Sequence, residues 1–188
     1  MAKVTPSGRY ISGGTVSARA SGKDWHQMRL LVTGGVGFIG SNFVRHVLAS
    51  REDWQVRGFD KLTYAGNLGN LADLLDGPRL EFIQGDILDQ EAVEGAMAGV
   101  DAAVHMAAES HVDRSIISAE AAVQTNFVGS FRVFEAARSL GVSRLLHVST
   151  DEVYGAALGE PFAEEDALNP RNPYAATKAG ADRLAHSY

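Results

Sequence analysis

The stretch from Leu30 to Gly40, LLVTGGVGFIG, constrains this chain more than any other. An apolar run ends in Thr33, and Gly34, Gly35, Gly37 and Gly40 follow in quick succession. Apolar residues at helical spacing come next, with Phe43, Val44, Val47 and Leu48 on one face. The stretch therefore spells a buried strand, a tight turn and a helix N-terminus. Glycines omit the Cβ atoms that would hold an anion away from backbone N–H groups, and the helix end adds a favourable dipole. A turn of this kind suits phosphate, and between a strand and a helix it points to a dinucleotide. A glycine turn can also serve packing alone, so the segments around it have to agree.

They alternate in the expected way. Strands are expected at 29–33, 55–59, 80–83, 101–105 and 144–149, and helices at 38–49, 67–75, 89–98, 118–140 and from Pro173 onward. Asp89 is a plausible cap of the third helix, and Gly77-Pro78 closes the second. Strand–helix alternation gives a doubly wound parallel α/β sheet, so 28–188 reads as a Rossmann-type dinucleotide-binding domain. Residues 1–27 differ: they are basic, rich in small residues, and carry one acid, Asp24. They lack the apolar centre of a secretory signal, and read as a disordered extension with Met28 as the natural start. A basic, serine-rich transit peptide is the competing reading.

Bulk composition excludes several classes. Of 188 residues, 45% are hydrophobic and 21% charged, which fits a single packed domain rather than a disordered chain. The 17 basic residues are outnumbered by 23 acids and are not clustered, which argues against a nucleic-acid footprint. Cysteine is absent, so disulfides and thiol nucleophiles are excluded, which fits a cytoplasmic protein. No apolar run approaches the roughly 18 residues of a membrane span. The six histidines show no paired ligand spacing, so no metal site is expected. His105 and His147 read as core or strand-end residues, and the role of His111 stays open.

Ligands of such sheets bind beyond the carboxyl ends of the strands. The second strand ends at Asp60, about 25 residues past the glycine turn, where a carboxylate can accept bonds from ribose hydroxyls and repels an added phosphate. This favours NAD over NADP, against a plain capping role. Asp86 follows the third strand at a position suited to the adenine edge. Ala107 and Ala108 after the fourth leave room for a cofactor, or simply pack. The fifth strand runs into Ser149-Thr150-Asp151-Glu152, which offers a hydroxyl anchor and candidate acid and base. A solvated acidic turn is the bland alternative. Tyr174 and Lys178, four apart, share one helix face. An ammonium beside a phenol lowers the phenol's pKa, so Tyr174 is expected to act as a base, and Lys178 can also hold the nicotinamide ribose.

Together TGGVGFIG (33–40), DKLTYAGN (60–67), GDI (85–87), MAAESHVDRSI (106–116), TNFVGS (125–130), VSTDEVYG (148–155) and NPYAATKAGAD (172–182) resemble the extended short-chain dehydrogenase/reductase superfamily. Within it they are similar to the dTDP-glucose 4,6-dehydratases. The resemblance implies an NAD site formed by Gly34, Gly37, Phe38, Ile39, Gly40, Asp60, Lys61, Leu62, Thr63, Asp86, Ile87, Met106, Ala107, Ala108, Glu109, Ser110, Thr125, Tyr174 and Lys178. It implies that Thr150 and Ser110 contact a dTDP-glucose substrate. Tyr174 would deprotonate the 4-hydroxyl, Glu152 would take the C5 proton, and Asp151 would protonate the departing 6-hydroxyl. It implies a homodimer through the helices at 118–140 and from Pro173. Ser130 and Thr177 exchange one hydroxyl residue for another within the matched motifs. Family members continue well past the helix that carries Tyr174, so the sequence reads as a truncated dehydratase with weak NAD binding and poor turnover. A nucleotide-sugar 4-epimerase needs Tyr174 and NAD but neither acid. An inactive NAD-binding fragment is the third reading.

Overall fold

Strand β1 (Arg29–Thr33) is buried from Leu30 to Thr33, as a strand covered on both faces must be. Its side chains alternate, sending Leu30 and Val32 into one core and Leu31 into the other. In the computed structural model, which describes residues 27–157 and 159–188, β1 is the middle strand of a five-stranded parallel sheet. The expected extension at 1–27 lies, Gln27 apart, outside the described residues. The order is β3 (Leu80–Gln84), β2 (Gln55–Asp60), β1, β4 (Ala102–His105), β5 (Arg144–His147). Thr33 lies opposite Phe59 on one side and His105 on the other. The order reverses at β1, which opens a crevice at its carboxyl end. This is the expected Rossmann-like arrangement.

One core joins Val44, Val47 and Leu48 of helix α1 (Phe38–Ser50) to Leu30, Val32, Val56 and Leu71. The opposite core joins Val93 and Met97 of α2 (Gln90–Met97) to Leu31, Phe59, Val133 and Phe134. Asp89 Oδ1 accepts from Ala92 N at 3.1 Å, the expected cap of α2. Each fully buried Leu, Val or Phe contributes about 1.5–3 kcal/mol.

Three expectations change. The helix at 67–75 is instead a 3-10 turn at Leu68–Leu71 followed by further turns. Val36 O accepts from both Asn67 N and Asn70 Nδ2, and Asn67 Oδ1 caps Gly69 N, so the segment is pinned to the glycine turn. The single helix at 118–140 is preceded by a short α3 (Val112–Ile117). It then runs as α4 (Glu120–Ala122), a π-helical stretch (Val123–Gly129) and α5 (Ser130–Ser139). β5 stops at His147, and a 3-10 turn (Asp151–Tyr154) follows, capped by Thr150 Oγ1 accepting from Glu152 N at 3.3 Å. The last helix, α6 (Pro173–Ser187), starts as expected, with Asn172 Oδ1 accepting from Ala175 N and Pro173 at its first position. Among the described residues, no helix is long and apolar enough to cross a membrane.

Candidate active site

The glycine turn closes against β4. Gly34 adopts φ +70°, and a Cβ there would lie 2.8 Å from Ala107 N. A Cβ on Gly40 would lie 2.0 Å from Gly34 O. Only glycine fits either place. Gly37 precedes α1, whose first turn holds no acid, so its free N–H groups and dipole favour an anion. Beside it Phe38 and Ile39 are 83% and 65% exposed, large apolar side chains facing outward where α1 begins.

Asp60 braces this turn. Its Oδ2 accepts from Val36 N at 3.3 Å and its Oδ1 from Leu62 N at 2.9 Å. A carboxylate has about four acceptor positions, so capacity remains for hydroxyls. Leu62 holds φ +58°, a left-handed conformation that costs a non-glycine residue about 1–2 kcal/mol. Lys61 Nζ pairs with Asp86 Oδ2 at 2.5 Å, fastening this loop to the end of β3. Thr63 is exposed, and its carbonyl accepts from Gly66 N. Asp86 Oδ1 accepts from Leu88 N, and the side chain of the neighbouring Ile87 is buried over Gly129. His111 acquires a place: its ring lies 5.3 Å from that of Tyr64, over which Arg114 stacks at 4.3 Å.

A buried polar chain crosses from β1 to α6. Met106 N and Ala107 N both donate to Thr33 Oγ1 at 3.2 Å. With both lone pairs used, that hydroxyl donates to His105 Nδ1 at 2.6 Å. His105 Nε2 then carries the proton and donates to Ser130 Oγ at 2.9 Å, which donates to Asn126 O at 2.6 Å. Burial pushes His105 well below its usual pKa, so the ring is neutral. Asn126 Oδ1 accepts from Glu109 N, while its Nδ2 donates to Glu109 O and Thr177 Oγ1. Thr177 Oγ1 donates to Tyr174 O. The loop Met106–Ser110 is thereby tied to α6. Ser110 is exposed at its end, and Thr125 is half-buried in the π-helical stretch.

Just past β5 the Thr150 hydroxyl donates to Asp151 Oδ1 and accepts from Glu152 N, both at 3.3 Å, and Glu152 Oε2 accepts from Asn172 Nδ2 at 2.7 Å. Asp151 and Glu152 both act electrostatically on Tyr174. Lys178 Nζ donates to Val148 O at 2.6 Å, and burial brings its pKa down to about 8.

A family model described as GDP-mannose 4,6 dehydratase matches residues 31–188. The chain belongs to this family. It is 53% identical over 161 residues to the low-salt glycan biosynthesis protein Agl12 of Haloferax volcanii, covering 86% of this chain and 52% of that protein. The dTDP-glucose 4,6-dehydratase DesIV of Streptomyces venezuelae, solved with NAD and TYD bound, superposes with a TM-score of 0.83 at 51% identity, covering 86% of this chain and 51% of that one. A UDP-N-acetylglucosamine 4-epimerase of Methanobrevibacter ruminantium superposes at 0.79 with 29% identity, covering 86% and 50%. The chain spans about half the length of the curated relatives it matches.

Of the expected site residues, Thr150, Asp151 and Glu152 follow β5, and both carboxylates act on Tyr174 in the first turn of α6. One expectation is corrected. Lys178 does not lower the Tyr174 phenol, because its ammonium is aimed at Val148 O. Burial, with Glu152 and Asp151, instead pushes Tyr174 above its ordinary value, and Thr150 opposes them. Thr33, His105, Asn126, Ser130 and Thr177 went unassigned as site residues in the sequence. The signal available was a polar residue in an apolar setting, such as His105 closing AAVH or Asn126 within a helix.

Proposed function

We propose that this chain carries the NAD-binding and acid–base machinery of a dTDP-glucose 4,6-dehydratase. The observation that supports this best is the gathering of Thr150, Asp151 and Glu152 around Tyr174 at a strand end of a dinucleotide-type crevice. The glycine turn fits NAD, since α1 opens on Gly37 with no acid in its first turn and Asp60 presents a carboxylate rather than a cation. The start of α1, at Phe38, Ile39 and Gly40, would hold the diphosphate, with Gly34 and Gly37 shaping the turn beneath it, their own amides donating to Phe59 O and Gly34 O. Asp60, Lys61, Leu62 and Thr63 would hold the adenosine ribose, and Asp86 and Ile87 the adenine. Met106, Ala107, Ala108, Glu109, Ser110 and Thr125 would line the rest, and Lys178 would meet the nicotinamide ribose. Bound NAD supplies a transient store for the hydride that leaves C4 of the sugar and returns at C6.

The chain's own groups would do the proton work. Thr150 holds the 4-oxygen, and Tyr174 takes its proton as the phenolate, the form that Thr150 favours and that burial, Glu152 and Asp151 oppose. The 4-keto group that results acidifies C5–H, and Glu152 removes that proton. Asp151 gives a proton to the 6-hydroxyl, which leaves as water, and Glu152 returns its proton to C5 when the hydride comes back to C6. Ser110 would contact the substrate. The product is a 4-keto-6-deoxy sugar nucleotide. A homodimer through α4, α5 and α6 is supported by the exposed Val123, Phe127 and Phe131, and a cytoplasmic site by the absence of cysteine.

Calorimetry with NAD and incubation with dTDP-glucose test this. NAD binding together with a keto sugar that absorbs in alkali is the expected result. A galactose epimer without keto product would establish the epimerase reading instead. Chain without detectable NAD binding would reject both. The dehydratase reading is favoured by 51% identity against 29%, and by two acids that an epimerase does not need.

A further inference from the structure

The three residues that follow β5 each engage α6, on successive turns of one helix face. Val148 O accepts from Lys178 Nζ at 2.6 Å. Ser149 Oγ donates to Asp182 Oδ2, also at 2.6 Å. Thr150 acts on the Tyr174 phenol at the start of that helix, lowering it. Tyr174, Lys178 and Asp182 are spaced by four, so they form one row. Only the first two have a role in the function proposed above. Asp182 is half-buried and spends a charged side chain on a serine hydroxyl, with its second oxygen 3.6 Å from His147 Nε2.

Lys178 shows why a carboxylate belongs there. It is only 3% exposed, and its one hydrogen-bond partner among the described residues, Val148 O, carries no charge. A buried ammonium in that situation loses its proton unless an opposite charge lies near. Of the groups coupled to it, His105 on β4 and His147 on β5 are both held neutral by burial, His147 down to about 3. Asp182 is the carboxylate that acts on it. Arg183 acts on Asp182 from the same helix. On the other packed elements, Asp151 and Glu152 act on Tyr174, while Glu135 and Arg138 of α5 pair with each other and with Tyr188. Arg114 of α3 is stacked on Tyr64.

We propose that Asp182, fixed by Ser149, is a positioning residue that keeps Lys178 protonated and aimed at the end of β5. The functional unit is then a Tyr174–Lys178–Asp182 row rather than a tyrosine–lysine pair. Burial already brings Lys178 down to about 8, and Asp182 opposes that fall. Without the carboxylate the ammonium is lost at a lower pH. The consequence for NAD rests on the reading of Lys178 as a ribose ligand.

The chain has four lysines, Lys3, Lys23, Lys61 and Lys178, so carbon-13 labelling at the lysine ε-carbon resolves each titration by NMR. Lys178→Arg assigns the Lys178 signal by its loss. Wild type is expected to titrate near 8 at this position. Asp182→Asn is expected to titrate roughly one pH unit lower, Asp182→Glu close to wild type, and Ser149→Ala in between. An unchanged Lys178 midpoint in folded Asp182→Asn overturns the proposal. Should that variant fail to fold, Ser149→Ala decides: a wild-type midpoint there overturns it equally. NAD affinity measured against pH by calorimetry should fall through the same midpoints. In a Lys178→Arg background, Asp182→Asn should no longer change that pH dependence. A shifted lysine with no NAD binding in wild type at any pH would uphold the coupling and sink the dinucleotide reading.

Discussion

A methyl group at position 40 would sit 2.0 Å from the Gly34 carbonyl oxygen, against backbone that cannot give way. At position 95, inside α2, nothing lies within 4 Å of the same methyl. One substitution therefore has opposite signs at two glycines. Gly40→Ala is expected to destabilise by about 1–3 kcal/mol and to abolish NAD binding. Gly95→Ala is expected to stabilise by about 0.4–1 kcal/mol by restricting the unfolded chain. Urea melts of both variants check this. His147 gives a pH effect of definite sign. Its folded pKa is lowered to about 3, from an ordinary 6.5, by burial and then by Lys178. The unfolded chain thus binds more protons between those values, so the neutral ring contributes stability above 6.5 that is lost as pH falls towards 3. His147→Gln should flatten that slope in melts across the range. Tyr174 is raised by burial, Glu152 and Asp151, and lowered by Thr150. Thr150→Val is therefore expected to move tyrosinate absorbance to higher pH, and Glu152→Gln to lower pH. A Thr150→Val shift in the opposite direction would remove Thr150 from the proton-transfer scheme.

Elements were legible where their cause is local. Alternation placed five strands, and Asp89, Asn172 and Pro173 marked helix starts as chemistry requires. Where the cause lies far along the chain, the sequence was silent. The segment after Asn67 reads as a helix by its leucines, but Val36 O holds it as a 3-10 turn. The π-helical stretch Val123–Gly129 turns Asn126 inward to Glu109 and Thr177, partners that no local pattern announces. Such insertions recur at functional sites. For the same reason the site was legible as a set of residue types but not as a set of bonds: Tyr174 and Lys178 share a face, yet the lysine serves Val148 O. Asn126→Ala should leave both polar groups of Glu109 without their partner. A loss of about 2–3 kcal/mol is expected. Hydrogen exchange should rise in the Met106–Ser110 loop and the first turn of α6, while β1 to β3 stay protected. Faster exchange throughout the sheet instead would show that Asn126 supports the whole fold and not that junction.

At the scale of the molecule, the candidate groups sit on two sides of β1. The anion-favouring turn, Asp60 and Asp86 belong to β1, β2 and β3, whereas Thr150, Glu152, Tyr174 and Lys178 belong to β5 and α6. The polar chain from Thr33 through His105, Ser130, Asn126 and Thr177 joins the sides beneath the crevice, and a dinucleotide lying across it would join them above. Ligand at a hundredfold its dissociation constant stabilises a folded chain by about 2.7 kcal/mol, so NAD should raise the melting temperature of the whole unit in one transition. NADP should do so less, because its added phosphate meets the Asp60 carboxylate. Asp60→Asn separates two roles of that residue. The amide oxygen can still accept from Leu62 N, but the charge is gone and the second contact, from Val36 N, is lost. The unliganded variant should melt lower than wild type, and the shifts caused by NAD and NADP should draw together. Full NAD preference in Asp60→Asn would mean that Asp60 only braces the turn and that selection against the phosphate lies elsewhere in the crevice.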